Sequence, residues 1–450
     1  MAKSHKYVCQ QCATSYPKWS GRCENCGSWN SLVESTVTAD GKSVVARSQG
    51  AKLQSTEFKD VSIDSIQNRV DTGFGEINDI LGGGLMPGSV ILVSGEPGIG
   101  KSTLLLQLAA FVASERNVLY VTGEESIGQV KLRGDRLGVG AKKLQLASST
   151  SADDIAATIR DSSQALAIID SIQTMMMADI ASAPGTVSQI TNATNLLIRA
   201  AKESHTTIIL VGHVTKEGSI AGPKVMEHLV DVVVQFEGDR YGGLKIVRSI
   251  KNRYGSTSEV AILEMTEKGL QPVDNPSAGL LSERSQSDGS IVLATMEGNR
   301  PLLVEIQALV TQSHFGYPKR TSSGFDLNRL QLLIAVMEKR TKLQLGDKDI
   351  FVNVVGGLKL QDPAADLAVC MAIASAASGR AMDIDAVVYG EVGLGGEIRS
   401  AHAAAKRNIE AKKLGFSYVV APTMKTHDNY VKETKTLVDA LRGYLVNTKG

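Results

Sequence analysis

Gly95-Glu-Pro-Gly-Ile-Gly-Lys101-Ser102 follows the apolar run Val90-Ile-Leu-Val93 and precedes a leucine-rich segment beginning at Leu104. This is the G-x-x-x-x-G-K-[ST] pattern in the strand-then-helix setting that its chemistry needs. Backbone N–H groups of residues 98 to 103 wrap phosphates at a helix N-terminus, Lys101 neutralises the β/γ oxygens, and the Ser102 hydroxyl ligates Mg²⁺. Gly95, Glu96, Pro97, Gly98, Ile99, Gly100, Lys101, Ser102 and Thr103 are therefore the expected ATP-binding residues.

Working outward, apolar β-rich runs at Val118 to Val121, Ala167 to Ile169, Ile208 to Val211 and Val230 to Phe236 alternate with helical patterns. Short buried strands separated by helices predict a parallel, doubly wound α/β sheet. Leu104, Leu108, Phe111 and Val112 follow a 3.6-residue period, and Ser151-Ala-Asp-Asp154 reads as a capping box opening the helix with Ile155 and Ile159. In such a sheet, ligands sit at the carboxyl ends of the strands. Asp170 ends one of these runs and is placed to hold Mg²⁺ through water as a Walker B acid; a solvated strand-end aspartate is the alternative. Gly123-Glu124-Glu125-Ser126 follows another and supplies two candidates for the carboxylate that orients the attacking water, with the choice between them open. His213 follows a third strand, either as a donor to the γ-phosphate or as a structural histidine. The basic, glycine-rich stretch Thr215 to Lys224 and the loop Met175 to Gly185 are candidate phosphate-contacting loops. Lys251-Asn-Arg253-Tyr-Gly255 packs two cations at a turn. It reads either as a solvated hairpin tip or as arginine-finger-like groups aimed at a neighbouring subunit's γ-phosphate or at a DNA backbone.

The N-terminus carries a different signal. Cys9-Gln-Gln-Cys12 and Cys23-Glu-Asn-Cys26 are two C-x-x-C knuckles that turn four thiolates toward one tetrahedral zinc ion. Four sulfur ligands leave no open position, so the site is expected to be structural, with two redox pairs as the alternative. Lys18, Trp19 and Arg22 lie between the knuckles, where the finger could meet nucleic acid or a protein partner. Cys370, in Leu-Ala-Val-Cys-Met-Ala-Ile, reads as core packing.

Composition sets the limits. The 450 residues suggest about three domains, and 48 Lys+Arg against 47 Asp+Glu exclude a uniformly basic protein, so any nucleic-acid surface must be local. Aromatic residues at 4% argue against base stacking as the main binding mode. With no signal-peptide core and no run long enough for a bilayer, the expected location is the cytosol, with no membrane partner. The boundaries read as a four-cysteine finger at 1–33, a linker at 34–60, an ATPase domain at 61–273, a linker at 274–289 and an α+β domain at 290–450. That last domain mixes strands (Leu302 to Val310, Phe351 to Val355) with alanine-rich helices (Leu367 to Ala377, Ala401 to Ala411).

Taken together, the cysteine finger, Gly73-Phe-Gly-Glu-Ile-Asn-Asp-Ile-Leu-Gly-Gly-Gly-Leu85, the loop Gly95 to Ser102 and Lys251-Asn-Arg-Tyr-Gly255 resemble the bacterial RadA (Sms) family of RecA-type DNA repair proteins. The likeness spans essentially the whole chain. It implies a RecA-like P-loop ATPase core with an N-terminal zinc finger and a C-terminal α+β Lon-protease-like domain. It also implies a ring, a hexamer, that uses ATP, Mg²⁺ and Zn²⁺ and works near the nucleoid on single-stranded and branched DNA in recombination and stress-related repair, alongside recombinase or replicative helicase proteins. In the third domain, Gln361-Asp-Pro-Ala-Ala-Asp366 aligns with the Lon nucleophile turn and puts Ala364 where the serine belongs, while the lysine position falls on Ala405. Without an oxygen nucleophile, covalent peptide cleavage has no chemistry to use. Lys359, Lys406 and Arg407 are then expected to offer basic surface to DNA. The alternatives from other classes are an ATP-dependent Lon-like peptidase and a RecA-like signalling autokinase.

Overall fold

The structure, a computed structural model, describes residues 5–9, 14–25, 31–36, 57, 68–213, 222–238, 244–314, 316–424 and 428–447. These fall into two compact units, 1–63 and 64–450. In the first, β1 (His5–Cys9) pairs antiparallel with β2 (Ser15–Tyr16) and with β3 (Leu32–Thr36). Cys23 and Leu32 are buried, with Tyr7 and Tyr16 packed on them. Lys18, Trp19 and Arg22 are exposed. Cys12, Cys26 and the Cys9 side chain lie outside the described residues.

The second unit opens with α1 (Gly75–Leu81), which stops at Gly82 in the left-handed conformation, φ 82°. A Cβ at Gly82 would lie 2.8 Å from the Tyr254 carbonyl oxygen, so only glycine lets this helix end lie against the Lys251–Gly255 motif. The wound elements follow in order: β4 (Val90–Gly95), α2 (Lys101–Val112), β5 (Val118–Thr122), α3 (Ile127–Arg136), β6 (Leu144–Ser148), α4 (Ala152–Asp161), β7 (Leu166–Asp170), α5 (Val187–Ser204), β8 (Thr207–His213), α6 (Gly222–Leu229) and β9 (Val232–Gly238). The chain then runs back and forth through β10 (Leu244–Asn252), β11 (Val260–Thr266) and β12 (Gly269–Pro272). The nine-stranded sheet has the order β12-β11-β10-β9-β4-β8-β7-β5-β6. It is parallel from β9 to β6, as the alternation of runs predicts, and antiparallel from β9 to β12.

Both faces of β4, β5, β7 and β8 are buried. Ile91, Val93, Tyr120 and Ile168 join one core with α1 and α2, whereas Val90, Leu92, Leu119 and Ile169 join another with α4 and α5. That is why these strands read as continuous apolar runs. Helix α2 is buried at Leu104, Leu105, Leu106 and Leu108, while Phe111 is 47% exposed. The predicted stripe therefore misplaces Phe111, which lies at the edge of the buried face with its ring against Gly73. Ser151 caps α4 by accepting from the Asp154 N–H, at 3.2 Å.

The stretch read as the second linker is structured. Asn275 caps α7 (Pro276–Leu281), whose Ser277 hydroxyl accepts from the Leu303 N–H. Beyond it come β13 (Ser290–Glu297), β14 (Arg300–Gln312), β15 (Arg320–Ser323), α8 (Leu327–Thr341), β16 (Lys348–Val354), α9 (Asp366–Ser378) and α10 (Ala404–Lys413). A seven-stranded mixed sheet runs β15-β16-β14-β13 and continues through Ala386–Val388, Tyr418–Ala421 and Val431–Glu433. Helix α9 is buried from Asp366 to Ser375 and includes Cys370, whose thiol pKa is pushed well up by burial. Arg407, expected on the surface, is 1% exposed. Its guanidinium pairs with Asp362 at 2.7 Å and lies 5.3 Å from the Tyr389 ring, because it projects from the buried face of α10. Lys359 and Lys406 are exposed.

The turn between β13 and β14 clasps the ATPase sheet. The Asn299 N–H donates to the Ser258 carbonyl at 2.7 Å, Arg300 pairs with Glu76 of α1, and Arg248 of β10 reaches Glu297 at 3.0 Å. A Cβ on Gly298, φ 55°, would sit 2.2 Å from the Ser258 oxygen, so the backbones meet only because that residue is glycine. No helix among the described residues is long and apolar enough to cross a membrane.

Candidate ATP site

The strand register assembles the site. Gly95 on β4 lies opposite His213 on β8, and Thr122 on β5 lies opposite Asp170 on β7. Four adjacent carboxyl ends thus bring together residues far apart in sequence. They enclose a cavity of about 340 Å³ lined by Pro97, Gly98, Gly100, Lys101, Ser102, Thr103, Glu124, Glu125, Arg133, Asp170 and His213, among others.

Lys101 is 3% exposed, and its Nζ donates to the carbonyls of Gly95 (2.8 Å) and Glu96 (3.0 Å). Burial pushes its pKa down to about 8 against the opposing pull of Asp170 and Glu124. A cation held at this cost fits a polyanionic ligand, and the neighbouring Ser102 hydroxyl and Asp170 carboxylate are hard oxygen donors suited to Mg²⁺. Asp170 is 8% exposed and accepts from the buried Tyr120 hydroxyl at 2.7 Å, which fixes one of its oxygens.

The two glutamates differ in their partners. Glu125 lies against Arg133: Nη1 donates to Oε1 at 3.0 Å and Nη2 sits 2.8 Å from Oε2. Glu124 accepts from the Ser171 hydroxyl and lies 3.6 Å from His213 Nε2. Burial, with Lys101 beside it, lowers the His213 pKa below its ordinary value despite Glu124 and Asp170, so the imidazole is neutral at pH 7 and the contact is not an ion pair.

Lys251 and Arg253 do not line this cavity. Lys251 Nζ donates to the carbonyls of Glu227 (2.8 Å), His228 (3.3 Å) and Val230 (2.8 Å) at the end of α6, and Arg253 pairs with Asp231 at 2.9 Å. The stretch Thr215 to Lys224 lies largely outside the described residues; Met175 is buried in the loop after β7.

Sequence reading missed Arg133 and Tyr120. Arg133 sits two turns into α3, whose start is fixed by the reciprocal Ser126–Gln129 capping box, so the box followed by an arginine was the available signal. Tyr120 looked like one more apolar strand residue.

The strand order and this cavity define a P-loop ATPase with a RecA-like core. Residues 54–219 match the family described as AAA domain, 7–34 the rubredoxin metal binding domain, which spans all four N-terminal cysteines, and 329–425 subunit ChlI of Mg-chelatase. Relatives titled "DNA repair protein RadA" match nearly end to end. That of Bacillus subtilis (strain 168) is 46% identical over 94% of this chain and 93% of its own length, and that of Escherichia coli (strain K12) is 44% identical over 94% of each. The Pseudomonas aeruginosa relative is 45% identical over 94% of each chain. A solved structure titled "Crystal structure of the RadB recombinase" covers 45% of this chain and 99% of its own, at 20% identity and a TM-score of 0.37, a likeness too weak to argue from. The chain belongs to the RadA family of DNA repair proteins, with a zinc-ribbon N-terminus and a Lon-like C-terminal domain.

Proposed function

We propose that this chain is a DNA-dependent ATPase that works as a ring motor on single-stranded DNA and branched recombination intermediates in the cytosol. The observation that carries the reading is the ATP cavity, with Lys101, Ser102, Asp170 and Glu124 together at the strand ends, in a chain that matches DNA repair relatives along nearly its whole length. Ser102 and Asp170 would hold Mg²⁺, which would supply charge neutralisation to the phosphates when bound. Lys101 then exchanges two carbonyl partners for phosphate oxygens. Glu124, the glutamate not paired to an arginine, holds the attacking water and takes its proton, while neutral His213 donates beside it. The test is ATP turnover with single-stranded DNA, with casein, or with neither. Stimulation by DNA is expected, whereas stimulation by casein alone would return the Lon-like peptidase reading and autophosphorylation would return the autokinase.

Against peptidase chemistry, Ala364 and Ala405 carry methyl groups where a hydroxyl and an amine would be required, and the nearby Asp362 is bonded to Thr295, the Met296 N–H and Arg407. We assign the C-terminal domain a scaffolding role, with Lys359 and Lys406 as phosphate-facing cations.

Lys251 and Arg253 are assigned to a neighbouring subunit's active site, leaving their present partners on α6 and Asp231 when the ring closes on ATP. Lys251→Ala is expected to keep ATP binding and lose DNA-stimulated turnover. In mixtures with Lys101→Ala subunits, about a quarter of interfaces combine an intact loop with an intact neighbouring lysine, so turnover should recover in part. Recovery that fails although a tag pull-down shows subunit exchange would exclude action in trans.

Cys9, Cys12, Cys23 and Cys26 are assigned one structural Zn²⁺. Metal binding needs deprotonated thiolates, so chelation or acid should release about one zinc per chain while ATP binding by the separate core persists. Metal-free protein with a Cys9–Cys12 disulfide after reducing purification would overturn this.

A further inference from the structure

We infer that Arg133 contacts the terminal phosphate of ATP in the same subunit, an assignment that rests on the ATPase reading above. Its guanidinium lines the ATP cavity, and its side chain is 17% exposed. Nη1 donates to Glu125 Oε1, Nη2 is ion-paired with the same carboxylate at 2.8 Å but outside hydrogen-bond geometry, and Nε is buried without a hydrogen-bond partner. An arginine carries five donors in a planar fork that matches carboxylate and phosphate oxygens alike. A buried guanidinium with unused donors on a cavity wall is therefore a group short of an acceptor.

Charge points the same way. Three carboxylates, Glu124, Glu125 and Asp170, face two cations, Lys101 and Arg133, and His213 is neutral. The wall is net negative by one even with both cations counted, so a triphosphate entering with Mg²⁺ draws on Arg133 as well as Lys101. Burial works against the charge on Arg133, but Glu125, Tyr120 and Asp170 outweigh burial and hold the guanidinium protonated.

Position selects the phosphate. The loop after β4 cradles the phosphate chain, while Arg133 belongs to the helix after β5, three strands away in the sheet order. It lies against the glutamate adjacent to Glu124 and within the electrostatic reach of Asp170, the groups assigned above to the attacking water and to Mg²⁺, which places it on the terminal-phosphate side of the cavity under that reading. Glu125 thus acts as a holder: it keeps the fork in the cavity wall without saturating it.

The experiment measures affinity of the full chain, in Mg²⁺, for a non-hydrolysable ATP analogue and for ADP. Arg133→Gln should weaken the analogue by about tenfold or more and ADP by less than about twofold, since a charge-assisted phosphate bond is lost only where the third phosphate is present. Arg133→Lys keeps a charge without the fork and should fall between. Glu125→Gln frees the guanidinium and should leave the analogue-to-ADP ratio unchanged or raise it. Equal weakening of both nucleotides by Arg133→Gln and Arg133→Lys would show that Arg133 only props the wall, and an unchanged ratio would overturn the contact. If Arg133→Gln binds neither nucleotide, the ratio in Arg133→Lys decides. Wild-type protein that binds no nucleotide would instead overturn the ATPase reading itself.

Discussion

Lys101→Ala is expected to lower ATP turnover by about 10²–10³-fold or more while the chain stays folded, because the ammonium stabilises charge that develops at the β- and γ-phosphates in a water-poor cavity. The variant should fold because Lys101 is a burden to the nucleotide-free protein: burial has already pulled its pKa from 10.5 to about 8. The sign follows from linkage. A folded-state pKa below the unfolded value means that the unfolded chain binds more protons between pH 8 and 10.5, so wild-type stability should gain a component over that range that Lys101→Ala lacks. Nucleotide binding reverses the shift, since a triphosphate favours the ammonium. ATP binding measured above about pH 8 should therefore take up protons, up to about one per site, as read by calorimetry in buffers of different ionisation enthalpy. Turnover near the wild-type level, or uptake that persists in Lys101→Ala, would place the chemistry elsewhere.

Glu124→Gln is expected to lower turnover by about 10²–10⁴-fold with ATP affinity retained, the loss typical of a missing general base. Glu125→Gln should stay within about tenfold of wild type, because that side chain is engaged by Arg133, whereas Glu124 has no arginine partner. Single-turnover hydrolysis together with equilibrium ATP binding separates the two variants. A large loss in Glu125→Gln with a small one in Glu124→Gln would exchange their roles.

Local chemistry made much of this legible in advance. The loop Gly95 to Ser102 needs only its own glycines and its place between strand and helix, and the paired cysteine knuckles need only their spacing, so both can be read along the chain. The same is true of the parallel strands: β4, β5, β7 and β8 are covered on both faces, which writes them as unbroken apolar runs. Tertiary structure alone decided matters that depend on partners distant in sequence. Glu124 and Glu125 are chain neighbours of identical type, and what separates them is which one meets Arg133 and which one meets Ser171 and His213. Lys251 looks free at a turn until α6 ends beneath it and presents three carbonyls. Arg407 reads as surface charge until Asp362 and Tyr389 enclose it, and Phe111 reads as core until the fold leaves it at the edge of the buried face of α2. Periodicity fixes which face of an element is apolar, whereas a charged side chain's role depends on the field and the donors that the whole fold brings around it.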